Sequence, residues 1–234
     1  MTGKEGKLLL LKNFENKFNE FGFIQNKRRD TTTEFIKKNE NGFDEFGIDI
    51  YTYSPQINFG FVVWKRIDAI ENIIAEINKI VILDNSHNKN SHSLSFQKKG
   101  VELKIIYVQT EEDLVLGFNK IMDYFINEAL PVLNSFNDIK NIDNTINGER
   151  DNFWETDNDN SKPFTFAHLF YARRLIIGRL VKNNIDFEEF TIKFYEMIDK
   201  KLANDNKLPL DRNDYNISTN IIVRYLKENL KPIY

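Results

Sequence analysis

The three histidines are the residues of this chain that could most directly ligate a metal or transfer a proton. His87 and His92 stand in a segment rich in Asn and Ser, but no third metal ligand lies near them in the sequence. His168 stands in an apolar segment, and no motif places a serine or carboxylate partner beside it. We therefore interpret the first two as loop residues and the third as structural, and we expect neither a metal nor a cofactor.

The acidic clusters are explained without catalysis. Asp157, Asp159 and their neighbours up to Ser161 begin like a calcium loop, but an EF-hand needs Gly at its sixth position and Glu at its twelfth, where this chain has Lys and His. Glu111–Asp113 stand at a predicted helix start, where carboxylates favour the positive end of the helix dipole. The sequence also lacks the GxGxxG, P-loop, GxSxG and HExxH patterns. We therefore predict no catalytic residue, although the absence of short motifs leaves an enzyme possible.

Three arginines, Arg173, Arg174 and Arg179, follow the acidic segment Glu149–Asp159. If that segment packs back onto the helix that carries them, their charges are neutralised locally. Alternatively, a helix that presents three arginines could bind an acidic partner or a phosphate, because guanidinium groups form paired hydrogen bonds with such anions. We favour local neutralisation, and in the alternative interpretation Arg173 and Arg174 are candidate binding residues.

Composition restricts the class of protein. A net charge of −3, with 41% hydrophobic and 29% charged residues, is typical of a soluble globular protein and does not favour nucleic-acid binding. The basic patch of Lys27–Arg29, Lys37 and Lys38 is more typical of a solvated sheet edge. Without cysteine there is no disulfide or thiol nucleophile. No apolar run reaches the length of a membrane span or a secretion signal, so we expect a cytoplasmic protein and no membrane contact.

Two adjacent segments, Phe43–Tyr53 and Ile57–Lys65, are predicted to form a central antiparallel hairpin, since both are apolar or aromatic on both faces. A four-residue connection, Ser54–Ile57, gathers the aliphatic and Phe side chains on one face, whereas a slip of one residue would scatter them. That face carries Phe46, Ile48, Ile50, Phe59, Phe61 and Val63. The opposite face carries Asp49, Tyr51, Tyr53, Asn58, Gly60, Val62 and Trp64.

Tyr51, Tyr53 and Trp64 on the opposite face are candidate binding residues, because aromatic side chains with a polar group are favoured at protein interfaces. The alternative is that C-terminal helices cover this face and make the rings part of a core. An uncovered aromatic sheet face is unusual on a monomer, which favours the covered arrangement.

Helical and strand periodicity predicts the elements around this hairpin. They begin with a helix whose apolar positions are Leu8, Leu11, Phe14, Phe18 and Phe21, strands at Phe23–Arg29 and Thr31–Lys38, a turn at Asn41-Gly42, and a helix at Asp68–Lys79. They continue with a hairpin of Leu94–Lys98 and Val101–Gln109, and a helix that begins after a capping box at Thr110 and Asp113 and is interrupted or ended by Pro131. A linker candidate, Asp143–Ser161, precedes helices at Phe166–Val181, from Phe187 to Leu202 and from Ile221 onward.

The fold class that follows is α+β, with an antiparallel sheet flanked by helices and then a C-terminal helical segment. We place an α+β domain at 1–147, an acidic linker at 148–162 and a helical segment at 163–234 that packs on the first domain.

Residues 8–147 are similar in the order of their features to small bacterial domains of unknown function. The residues that carry this resemblance are Gly22-Phe23, the hairpin Phe43–Lys65, the acidic start Glu111–Leu114, and Leu130-Pro131. Some similar small acidic bacterial proteins are immunity proteins, which bind and block a toxin, and the resemblance supplies no catalytic residues. It therefore implies a protein partner.

We accordingly predict a non-enzymatic bacterial protein-binding protein, immunity-like or regulatory, that binds through Tyr51, Tyr53 and Trp64 or through the acidic side chains Asp157 and Asp159. The alternative is an enzyme or small-ligand-binding protein with a pocket between the sheet and the C-terminal helices. In that case His168, Arg173 and Arg174 would supply its polar groups.

Overall fold

The structure, a computed structural model, shows an α+β protein, which confirms the predicted fold class: an antiparallel sheet is flanked by helices, and a C-terminal helical segment follows. It describes residues 3–26, 32–53, 56–81, 88–89, 91–96, 106–107, 110–148, 170–204 and 212–233. The strands are β1 Ile24–Asn26, β2 Thr32–Asn39, β3 Gly42–Tyr53, β4 Gln56–Ile67, β5 Leu94–Phe96 and β6 Ile106–Tyr107. The helices are α1 Gly3–Glu20, α2 Asp68–Ile77, α3 Glu111–Tyr124, α4 Leu130–Ser135, α5 Ile139–Ile146, α6 Phe170–Val181, α7 Asn184–Asn204 and α8 Arg212–Asn229.

The chain packs into two compact units. Unit 1 contains the described residues of Met1–Ile67 and Leu94–Asn137, and unit 2 those of Asp68–Ser93, Asp138–Asp151 and Thr165–Tyr234. The predicted division at 147 and 163 follows the order of the sequence, whereas these units gather segments that are distant in sequence. Helices α6 to α8 share unit 2 with α2 and α5, and α6 packs on both of them.

The sheet of unit 1 has the strand order β1-β2-β3-β4-β5, and β6 also pairs with β4. The predicted faces of the central hairpin are confirmed, because Phe46 lies opposite Val63, and Ile48 lies opposite Phe61. The predicted connection length is wrong: pairing continues to Tyr53 and Gln56, so two residues rather than four connect the strands. A change of two residues keeps every side chain on its face, since side chains alternate with a period of two.

The hairpin of β2 and β3 forms at the predicted Asn41-Gly42 turn, and Gly42 is the residue of that pair with a positive φ. Asn39 pairs with Gly42, and the amide of Asn41 donates to Asn39 Oδ1 at 3.0 Å. Gly42 has φ 140°, and no described residue other than glycine has a positive φ. Gly42 is therefore the residue whose missing Cβ permits the turn.

The predicted hairpin of Leu94–Lys98 with Val101–Gln109 is wrong for the residues that the structure describes. β5 and β6 both pair antiparallel with β4, Leu94 opposite Lys65 and Tyr107 opposite Gln56. Two strands that are each antiparallel to the same strand run in the same direction, so they cannot form an antiparallel pair with each other. They pair with two different parts of the same edge of β4, one after the other along the strand.

Phenylalanine side chains form the core of unit 1 between α1, α3 and the inner face of the sheet. The ring of Phe18 stacks on Phe35 at 4.4 Å and meets Phe125 edge-on at 4.5 Å between centroids. The prediction that Leu8 faces this core is wrong, since Leu8 is exposed and Leu10 is buried instead. Leu10, Phe14 and Phe18 recur every four residues, whereas the run of leucines before them leaves the helical phase undecided.

Helix α3 begins as predicted with a capping box, in which Thr110 Oγ1 accepts from the amide of Asp113 and Asp113 Oδ2 accepts from the amide of Thr110. Pro131 interrupts the helix and does not end it. The chain widens into a π turn over Phe125–Ala129 and then continues as α4. Such widening relieves the clash between a proline ring and the carbonyl of the preceding turn.

Unit 2 is helical and buries the predicted apolar stripes. The buried side chains include Ile70, Ile74 and Ile77 of α2, Leu175 to Ile177 of α6, Phe187 and Phe194 of α7, and Ile222 and Leu226 of α8. The predicted linker Asp143–Ser161 begins too early, because α5 extends to Ile146, and Asp143 is buried and accepts a hydrogen bond from Lys182 Nζ. No helix in the described part of the chain is long and apolar enough to cross a membrane.

Candidate functional site

Arg173 of α6 is held by a buried carboxylate in the interior of unit 2. Its Nε and Nη2 donate to Glu71 Oε1 and Oε2 at 2.9 and 3.0 Å. Glu71 Oε1 also accepts from Ser93 Oγ at 2.7 Å. Glu71 is 0% exposed and Arg173 is 2% exposed. A protein partner does not reach this guanidinium unless the unit opens.

Arg174 is also buried, and it ties α6 to the end of α5. Its Nε donates to Asn147 Oδ1 at 2.9 Å, and its Nη2 donates to the carbonyl of Ile146. Asn147 returns a hydrogen bond to the carbonyl of Arg174 at 3.1 Å. Local neutralisation of the arginines was one of the two predicted arrangements, but the acidic segment proposed for it, Glu149–Asp159, lies outside the described residues. Arg173 and Arg174 therefore both serve the interior of unit 2.

The second face of the sheet changes from buried to exposed along its strands. At one end Glu45 and Arg66 are buried, and Trp64 is half-buried. At the other end Tyr51 is 38% exposed. The side chain of Tyr53 lies outside the described residues. The three aromatic residues predicted as one binding surface thus differ in accessibility, and Tyr51 is the one whose exposure is shown.

Asp49 lies beside Tyr51 on the same face, two residues earlier on β3. Its Oδ1 accepts a hydrogen bond from Thr32 Oγ1 of β2, which fixes the carboxylate against the sheet. Gly60 lies directly opposite Asp49 on β4, where a Cβ atom would lie 3.4 Å from the Cβ of Asp49. We call Thr32, Asp49, Tyr51 and Gly60 the Tyr51 surface. It presents an aromatic ring and a half-buried carboxylate on regular, paired strands.

A buried ion pair on the inner face of the sheet is a feature that sequence reasoning missed. Lys65 Nζ donates to Asp44 Oδ1 at 2.6 Å, to the carbonyl of Leu133 at 3.1 Å and to Asn137 Oδ1 at 2.9 Å. Burial raises the pKa of Asp44, and the charge of Lys65 opposes that rise. The predicted faces put both residues on the inner side of the hairpin, but the predicted four-residue connection set them two residues out of register, so the sequence indicated their shared face and not their pairing.

Several predicted candidates lie outside the described residues: Asp157, Asp159, His87 and His168. His92 is described and half-buried. Within the described ranges, no group of three His, Cys, Asp or Glu side chains is arranged to hold a metal ion. The proposals that rest on the acidic segment therefore remain sequence predictions.

Unit 2 contains an open cleft of about 550 Å³ between the α6–α7 junction and the end of α8. Among its lining residues, Arg179, Lys227 and Lys231 are cationic, and Glu228 is the one carboxylate. Sequence reasoning listed Arg179 among the three arginines but gave no reason to group it with the two lysines. Helix packing, and no local motif, brings these side chains to one cleft.

Comparisons with known proteins add no family to this description. No family model matches the chain, and neither a curated protein nor a solved structure matches it.

Proposed function

We propose that this chain is a non-enzymatic protein that binds a basic partner protein through the Tyr51 surface. The observation that carries this proposal is the exposure of Tyr51, at 38%, on a paired strand beside the carboxylate of Asp49. The proposal takes the protein to be bacterial and cytoplasmic, and its role to be that of an immunity-like or regulatory partner.

The chemistry of the Tyr51 surface suits a protein interface. A tyrosine ring buries a large apolar area with few rotatable bonds, and its hydroxyl group retains a hydrogen bond at the wet rim. Tyr51 lies opposite Asn58 of β4, and Asp49, two residues earlier, pairs with β2 as well, so strand pairing holds the backbone near the ring in place before binding. Less conformational entropy is then lost when the partner docks.

Charge selects a partner that is rich in Lys or Arg. Asp49 stands beside the ring, and the chain carries 35 acidic against 32 basic residues, a net charge of −3. A carboxylate at the rim of an interface mainly accelerates association and discriminates against acidic partners, and both effects weaken as salt increases. We therefore expect a basic segment on the partner to meet Asp49.

The test begins with the full-length tagged protein as bait in lysate of its source organism, at low salt. A protein that co-purifies at near-equal stoichiometry is then purified, and its Kd is measured against the wild type, Tyr51→Ala and Asp49→Asn. We expect Tyr51→Ala to raise Kd by about tenfold or more. Asp49→Asn should raise it less and should flatten its dependence on salt.

Matched controls separate this surface from general effects of size and charge. Leu8→Ala truncates an exposed apolar side chain of the same unit, and Asp123→Asn removes an exposed carboxylate from α3. Both controls should keep the wild-type Kd. An unchanged Kd for Tyr51→Ala would overturn the proposal. So would a Kd for Asp49→Asn that equals the wild-type Kd at every salt concentration.

A further inference from the structure

The cleft of unit 2 combines a volume and a charge pattern that fit a small anion. Its volume, about 550 Å³, lies within the range of known small-molecule sites. Arg179 contributes from α6, and Lys227 and Lys231 contribute from the end of α8 and the residues that follow it. Asn183 and Asn184 also line the cleft, and Asn183 Nδ2 already donates to Asp186 Oδ2 at 2.8 Å.

Arg179 is a buried cation that has no carboxylate partner among the described residues. It is 3% exposed, and its Nε and Nη2 donate to the carbonyls of Leu226 and Leu230 at 3.2 and 2.6 Å. Its Nη1 is buried without a hydrogen-bond partner. Neutral carbonyl groups compensate a buried charge only in part, which leaves a positive field at the wall of the cleft.

Of the two glutamates near the cleft, one is paired with an arginine that does not line it and the other with a lysine that does. Glu228 Oε1 accepts from Arg224 Nε at 2.9 Å, one turn earlier on α8. Glu188 Oε1 accepts from Lys227 Nζ at 3.0 Å, but both side chains of this pair are largely exposed, so the pair is weak and Lys227 can exchange partners. Lys231 is exposed. The cleft therefore keeps an excess of positive charge.

We infer that this cleft binds a small molecule through an oxyanion group, a phosphate or a carboxylate, with Arg179 in the wall and Lys227 and Lys231 at the rim. The lysine side chains can change conformation to meet the ligand, whereas the guanidinium group of Arg179 is held in place by its two carbonyl acceptors. Three cations around one group favour a doubly charged phosphate over a single carboxylate. This site is separate from the Tyr51 surface, since all its residues belong to unit 2.

Isothermal titration at low, constant ionic strength tests the inference on the full-length protein. Inorganic phosphate is titrated into the wild type, and acetate is titrated in parallel to distinguish the two sources of an oxyanion. We expect saturable binding of phosphate at one site. In Lys227→Gln/Lys231→Gln, whose substitutions lie on exposed side chains, Kd for phosphate should rise about tenfold or more. Lys193→Gln, which removes an exposed lysine from α7, should bind like the wild type.

Each other outcome decides against the site or changes the ligand group. An absence of saturable binding of either anion would overturn the inference, and so would equal weakening by Lys193→Gln, which would indicate a general charge effect. Binding of acetate as tight as that of phosphate would assign the cleft to carboxylates. Tyr51→Ala should leave phosphate binding unchanged, so the failure of the partner proposal and the failure of this site are distinguishable.

Discussion

The pair of Glu71 and Arg173 shows at the residue scale how a buried charge in this protein is compensated by an opposite charge, although Arg173 Nη1 is buried without a hydrogen-bond partner. Both carboxylate oxygens meet guanidinium nitrogens, and Ser93 adds a further donor. Removing two such groups from water is expensive, and good geometry only offsets that cost. The pair as a whole therefore contributes little to the free energy of unfolding. Removal of either member would leave the other charge buried without a counter-ion and would destabilise the protein strongly.

We predict that Glu71→Gln lowers the free energy of unfolding by about 3–5 kcal/mol, because it leaves the charge of Arg173 buried without a counter-ion. Urea denaturation monitored by circular dichroism measures the change. Glu76→Gln on the same helix is the matched control, since its pair with Lys79 is exposed, and it should change stability by less than about 0.5 kcal/mol. The double variant Glu71→Leu/Arg173→Met should be more stable than Glu71→Gln. A cost for Glu71→Gln no greater than that of the control would contradict this account.

Sequence reasoning reached these residues only in part. It expected the arginines to be neutralised within the chain, but it looked for the partner in the neighbouring acidic segment. The carboxylate that binds Arg173 lies 102 residues away in sequence, on α2. There Glu71 is buried together with the isoleucines of the helix, although its type predicts an exposed position. No local pattern reports such a pairing. Asp44 and Lys65 were closer to the prediction, because the predicted hairpin faces put them on one side of the sheet, although the predicted connection length set them two residues out of register.

At the scale of elements, Gly178 determines how closely α6 and α7 pack in unit 2. A Cβ atom at Gly178 would lie 2.6 Å from Cε1 and 3.0 Å from Cδ1 of the Phe190 ring. Glycine in a helix interior costs up to about 1 kcal/mol relative to alanine. The ring of Phe190 occupies the space that a Cβ atom at position 178 would need, which explains why this position is a glycine.

Gly178→Ala is therefore expected to destabilise the protein by up to about 2 kcal/mol, since overpacking costs about 1–3 kcal/mol and the better helix propensity offsets about 1 kcal/mol of it. Thermal unfolding measures the net effect. Shortening the ring in Gly178→Ala/Phe190→Leu should recover part of the loss relative to Phe190→Leu alone. If Gly178→Ala raises Tm, the ring moves aside freely and the close approach does not constrain the two helices.

The predicted elements were most accurate where one periodic pattern dominated. The hairpin faces, the capping box at Thr110 and the stripe of α2 are confirmed. The errors fall where two arrangements fit the same pattern. β5 and β6 looked like partners because they are adjacent strands, yet the open edge of β4 accepts both. The depth of the cleft in unit 2 depends on how three helices meet, and periodicity within one helix does not report that.

At the scale of the whole molecule, each unit contains a tyrosine whose ionisation is suppressed. Burial raises the pKa of Tyr124 in unit 1 to about 12, and burial likewise raises the pKa of Tyr171 in unit 2 to about 12. The ordinary value in the unfolded chain is about 10. Each group thus binds its proton more tightly in the folded state, and its contribution to stability is complete below pH 10 and declines as the pH rises towards 12.

We predict that the free energy of unfolding falls between pH 10 and 12, by up to about 2–3 kcal/mol for Tyr124 and by less for the more exposed Tyr171. Urea titrations at several pH values measure this slope, and the absorbance of tyrosinate follows ionisation directly. Tyr124→Phe should flatten the slope. An equal slope in wild type and Tyr124→Phe would show that other groups control alkaline stability.

The order in which the chain enters and leaves its two units restricts how the gene can be divided or recombined. The chain passes from unit 1 to unit 2 after Ile67, returns after Ser93, and leaves again after Asn137. No single break in the coding sequence therefore yields two complete units, and a gene fragment that ends after α5 would carry α2 without the helices that bury its isoleucines. Recombination at one point cannot exchange one unit for another, so the two units are expected to be gained and lost together.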